Sequence, residues 1–105
     1  MPIRHRKTSV PHVRAEELRK RLFQEWQNPV DAHSEPVIIE EGRTGNRPTK
    51  IFVIWSEWAE LNQQERSEII MDAFEEFRGV ADSLRVTVAM GLTQQEADRM
   101  KIQYD

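Results

Sequence analysis

Between residues 51 and 100 the spacing of apolar positions switches twice from a strand pattern to a helix pattern. Ile51-Phe52-Val53-Ile54-Trp55 is apolar throughout, which predicts a central strand covered on at least one face. Trp58 and Leu61 suggest one helical turn after it. Ile69, Ile70, Ala73, Phe74 and Phe77 then recur at the spacing of a single helical face, predicting a helix over 63–78. Asn62 stands at its N-cap with Glu65 three residues on, a capping box, and Gly79 is placed to end it. Leu84–Ala89 reads as a third strand. Thr93-Gln94-Gln95-Glu96 repeats the box ahead of a short helix carrying Ala97 and Met100.

The first half is simpler. Ala15, Leu18, Leu22, Phe23 and Trp26 predict a helix over 13–27, stopped by Asn28-Pro29. A loop follows over 28–35. Pro36–Glu41 reads as a short strand, with proline where a strand tolerates it. The breaker-rich stretch 42–48 joins it to the next strand so tightly that the two must be antiparallel. The long helical connection to the third strand implies a parallel neighbour. The expected fold is α+β, in the order α-β-β-α-β-α, with helices packed on one face of a three-stranded mixed sheet. Residues 13–105 form a single domain behind a flexible basic arm, residues 1–12.

At 105 residues one ordinary hydrophobic core suffices without staples. The chain has no cysteine, which removes disulfides, thiolate nucleophiles and cysteine-ligated metals. No apolar run approaches the length of a membrane span, and the basic start lacks a signal peptide's apolar segment. A soluble, cytoplasmic protein with no membrane association is expected. Charge is uneven: residues 1–21 balance to +5 and the remainder to −8. Such an arm either meets an anionic partner or lies against an acidic body.

The element order, the capped helix after an apolar strand, and the ending Val88-Ala89-Met90-Gly91-Leu92-Thr93-Gln94-Gln95-Glu96 resemble the BolA-like proteins, which share the type II KH arrangement. The resemblance spans roughly residues 14–101 and implies that fold. It also marks departures. The family's histidine at the start of the main helix corresponds to Arg66, within Glu65-Arg66-Ser67, and a second histidine corresponds to Met90. The family's cysteine or histidine between the first two strands has no counterpart in 42–49. Iron–sulfur partnership with a glutaredoxin is therefore not expected, and no cofactor is. The Gly-X-X-Gly of nucleic-acid-binding KH domains is missing from Trp58–Gln64.

Arg66 extends the apolar stripe toward the start of its helix, with no acid at helical spacing. It reads either as an anion or partner contact near Met90, or as an arginine whose stem covers core and whose head pairs across the fold. Trp55 and Trp58 read as partner anchors or as the closed end of a core. Glu68, Asp72, Glu75 and Glu76 form an acidic helix face. His5, His12 and His33 have no metal-ligand spacing, and no serine sits in a nucleophile elbow. The expectation is a non-enzymatic protein-interaction or adaptor domain with an unnamed protein partner, contacted through Trp55, Trp58, Arg66 and Met90. The alternative is a nucleic-acid binder using Arg4, Arg6, Lys7, Arg14, Arg19, Lys20 and Arg21 on phosphates.

Overall fold

The computed structural model describes residues 12–29, 34–42 and 48–102. Helix α1 spans His12–Gln27, strand β1 Val37–Glu41 and strand β2 Thr49–Ile54. A 3-10 helix, Ser56–Glu60, leads into α2, Gln63–Arg78. The one-turn helix α3, Val80–Ser83, precedes β3, Val86–Leu92, and α4, Gln94–Arg99. The sheet order is β1-β2-β3. β2 is central as expected, antiparallel to β1 and parallel to β3. The turn between β1 and β2 lies largely outside the described residues.

Alternation along the strands sorts the core into two layers. Ile51 and Val53 of β2 face α1 and α2, joining Leu18, Leu22, Trp26, Ile69, Ile70, Ala73 and Phe74 in the larger cluster. Trp26 links the two helices, its ring 5.4 Å from Phe74 and 6.2 Å from Phe77. Ile54 points the other way, into a small cluster with Leu92 and Ala97. Both capping boxes are present: Asn62 accepts from the Glu65 N–H while Glu65 accepts from the Asn62 N–H, and Thr93 and Glu96 do the same.

The structure corrects three expectations. The helices are not all on one face: α1 and α2 share one, but Ala97 of α4 packs with Ile54 and Leu92 on the other. Leu92 and Gly91 alternate across β3, so a chain leaving through Leu92 turns toward the second face. β3 starts at Val86 and runs on through Leu92, with Met90, Gly91 and Leu92 opposite Phe52, Val53 and Ile54. Gly79 takes φ 96° and Val80–Ser83 then coils once more, leaving Leu84 outside the strand and 79% exposed. Met100 is also exposed, and Ile102 takes its place against the second cluster.

If the first box anchors α2, Asn62→Ala is expected to lower stability by about 1 kcal/mol in a urea titration. An unchanged midpoint would show that packing alone holds the start of α2.

Candidate functional site

The residues singled out at the sheet end come together, but mostly inside the protein. Trp58 is fully buried and its indole N–H donates to the Val53 carbonyl at 3.0 Å. Trp55 is buried against it, ring to ring at 5.1 Å in an edge arrangement. Their apolar surface closes the core and offers no partner an anchor, which corrects the reading of Trp55 and Trp58 as contact residues.

Arg66 is 5% exposed. Its Nε donates to the Leu61 carbonyl at 2.9 Å, and Nη1 donates to the Gly91 carbonyl at 2.9 Å and to Glu96 Oε1 at 2.7 Å. The head pairs across the fold, so its role is to join elements and the partner-contact reading is corrected. Room for this depends on Gly91. A Cβ there would lie 2.8 Å from Trp58 Nε1 and 2.9 Å from Arg66 Cβ. Gln63 Nε2 adds a second donor to the Gly91 carbonyl at 2.6 Å, and Ser67 Oγ donates to the Ala89 carbonyl at 2.5 Å.

Glu96 works twice, accepting from Arg66 and from the Thr93 N–H. The Arg66 hydrogen bond, foremost, holds its carboxyl below the usual carboxylate value against partial desolvation, helped by the Thr93 backbone. Met90 belongs elsewhere. It is half-buried in the second cluster, on the opposite side of the sheet from Gly91 and Arg66. The four proposed contacts therefore do not form one surface.

That second side is the more open one. Val37, Ile39, Phe52, Met90 and Ile102 are half-buried around Ile54, Leu92 and Ala97. Among the described residues, α4 is the only helix contributing to this cluster. The apolar run 51–55 carried the signal: a strand apolar at every position has two apolar faces, and two long helices covered only one. Exposed Glu41 and Lys50 flank the patch as register partners.

At the far end of β1, Glu40 Oε1 accepts from Trp26 Nε1 at 2.9 Å and Arg78 Nη2 at 3.3 Å. Its Oε2 is buried with no hydrogen-bond partner among the described residues. Glu40, Thr49, Phe74, Arg78, Asp82 and Arg85 line a cavity of about 30 Å³ there, room for a water or two. Sequence reasoning missed Glu40, because a glutamate in a short strand looks solvent-facing until its neighbours are known.

Of the basic candidates among the described residues, Arg14, Arg19 and Arg21 are engaged. Arg14 pairs with Glu57, Arg19 with Glu16 at 2.8 Å and with Glu76, and Arg21 with Glu25 at 3.0 Å. Lys20 is exposed; Arg4, Arg6 and Lys7, with His5 and His33, lie outside the described residues. On the acidic face of α2, desolvation and the neighbouring Glu68 push the Asp72 carboxyl up, with Arg19 opposing. Among the described residues no group of three or more His, Asp or Glu side chains is placed to hold a metal ion, and no helix is long and apolar enough to cross a membrane. Comparison with protein-family models, with curated proteins and with solved structures finds no match.

Removing the Arg66 head takes a donor from the Leu61 carbonyl and from the Glu96 carboxylate, and leaves the Gly91 carbonyl with Gln63 as its side-chain donor. Arg66→Ala is expected to cost about 2–3 kcal/mol in chemical denaturation, and a loss under about 0.5 kcal/mol would mean the network is dispensable. Glu96 adds a pH signature. A carboxyl lowered on folding stabilises fully above its unfolded value, here 4.5, and loses that contribution as pH falls through its folded value. Glu96→Gln is therefore expected to lower stability at neutral pH and flatten the acid limb below about pH 4.5. Parallel pH profiles for the two proteins would contradict this.

Proposed function

We propose that this chain is a small, non-enzymatic, cytoplasmic protein-interaction or adaptor domain of BolA-like, type II KH-like form. The order α-β-β-α-β-α, with a 3-10 helix added before α2 and one-turn α3 after it, and the central strand antiparallel to one neighbour and parallel to the other, supports that form. The observation that carries the interaction reading is the open side of the sheet. Val37, Ile39, Phe52 and Met90 form a half-buried apolar strip, and contiguous apolar surface of this kind marks contact sites. Met90 keeps the place that the resemblance draws attention to, but as part of this strip. The buried polar side chains support a non-catalytic reading. Glu65 and Arg66 are spent on a helix cap and on tying elements together, and Glu25 on an ion pair. The nucleic-acid alternative is less favoured at Arg14, Arg19 and Arg21, where a phosphate would have to displace carboxylates.

The test places a charge in the strip. Phe52→Lys and Met90→Lys, each checked for an intact fold by circular dichroism and thermal melting, are compared with wild type in quantitative capture from native lysate. A bona fide partner is expected to fall by about tenfold or more with either change, a loss of about 1.4 kcal/mol. Equal recovery with both folded variants would remove the open side of the sheet as the contact surface.

A further inference from the structure

The sheet has two outer edges, and they are finished differently. On β3 the Leu92 carbonyl points inward, accepting the Trp55 N–H at 2.8 Å. Carbonyls alternate along a strand, so those of Ala89 and Gly91 point outward. Both are occupied: Ser67 donates to Ala89 at 2.5 Å, and Gln63 and Arg66 donate to Gly91 at 2.6 and 2.9 Å. Three side chains from the first turns of α2 thereby close this edge. An incoming strand would find its acceptors already taken.

β1 is the other edge. Among the described residues no backbone group pairs with its outer side. Val37, Ile38 and Ile39 stand in a row on it, all β-branched and none fully buried. The strand contains no proline or lysine, so its protection against pairing rests on Glu40 and Glu41, acidic charges that repel an acidic strand and admit a basic one. Such an edge is a template for strand addition.

Charge selects the occupant. Glu40 and Glu41 end the strand and Glu35 stands just before it. The Glu40 side chain is 9% exposed, and its Oε2 is the buried oxygen without a donor. Arg78 reaches only the other oxygen, and Lys50 lies across from Glu41 on the inner side. A second copy pairing antiparallel about Ile39 would set Val37 opposite Glu41 and Ile38 opposite Glu40, an aliphatic against each carboxylate. A strand with Lys or Arg opposite exposed Glu41 would instead make a favourable cross-strand charge pair.

We infer that β1 is a docking edge for an extended, basic segment of a partner protein, which adds to the sheet as a fourth strand. This rests on the protein-interaction reading and supplies its binding mode and partner chemistry.

The probe is a short synthetic peptide alternating valine with lysine, titrated into the full-length isotope-labelled protein at low salt. A valine–glutamate peptide and a lysine peptide N-methylated at every second residue are the controls. Saturable amide shifts and slowed amide exchange at Val37–Glu41 are expected with the lysine peptide. Binding about tenfold weaker or worse is expected for both controls, and Glu41→Lys is expected to erode the preference for lysine over glutamate. Equal binding of the N-methylated peptide, or none of the lysine peptide, overturns strand addition. Shifts confined to Phe52 and Met90 overturn it too, while leaving the open face as the contact surface. Concentration-dependent dimerisation that protects the β1 amides overturns the basic partner in favour of a second copy.

Discussion

The missing side chain at Gly91 is the constraint on which the rest of this structure turns. It lets the Trp58 indole and the Arg66 stem lie against the backbone of β3, where any Cβ would fall within 3 Å of both. From that closeness Trp58 reaches the Val53 carbonyl, and Arg66 reaches Leu61, Gly91 and Glu96. The 3-10 helix, the first turns of α2, the end of β3 and the start of α4 are joined in this way through one arginine and one tryptophan. A buried guanidinium is tolerable only because its donors meet carbonyls and a carboxylate at short range. The strand therefore passes through a glycine that strand propensity would have discouraged.

The same junction explains why the sheet is asymmetric. Ser67, Gln63 and Arg66 spend their polar groups on the outer side of β3, so α2 both covers a face and closes an edge. α1 lies beside α2 and the pair use up the long amphipathic helices on that face. Among the described residues the other face receives only one helix, six-residue α4. Val37, Ile39, Phe52 and Met90 are left half-buried on that side. Charge follows a similar logic. Of the basic residues beginning the chain, Arg14, Arg19 and Arg21 of α1 are drawn onto carboxylates of α1, α2 and the 3-10 helix, so the lopsided charge of the sequence is partly neutralised by folding.

Much of the architecture was legible because it is local. The apolar faces of α1 and α2, the caps at Asn62 and Thr93, and the central position of β2 follow from spacing and from the chemistry of a few residues. The limits of β3 were less legible, since Leu84 and Met90 are equally apolar and only the register against Phe52–Ile54 separates them. The candidate site was read less well. Arg66 was conspicuous for lacking a helical partner, but its partner Glu96 lies thirty residues on, beyond the reach of any periodicity. Trp55 and Trp58 could serve an interface or a core, and burial decided for the core.

By itself, then, the sequence determined α1, α2, α4, the position of the three strands and that the class is α+β, because caps, breakers and apolar periods act within a few residues. It also marked Ile51–Trp55 as a strand with two apolar sides. Only the tertiary structure decided which side the helices would take, that α4 would cross to the other, and that Arg66 faces inward while Met90 faces the open side. Those outcomes depend on strand register and on how close Gly91 lets its neighbours come. Both are relations between residues far apart in the chain, and hydrophobic pattern alone does not encode them.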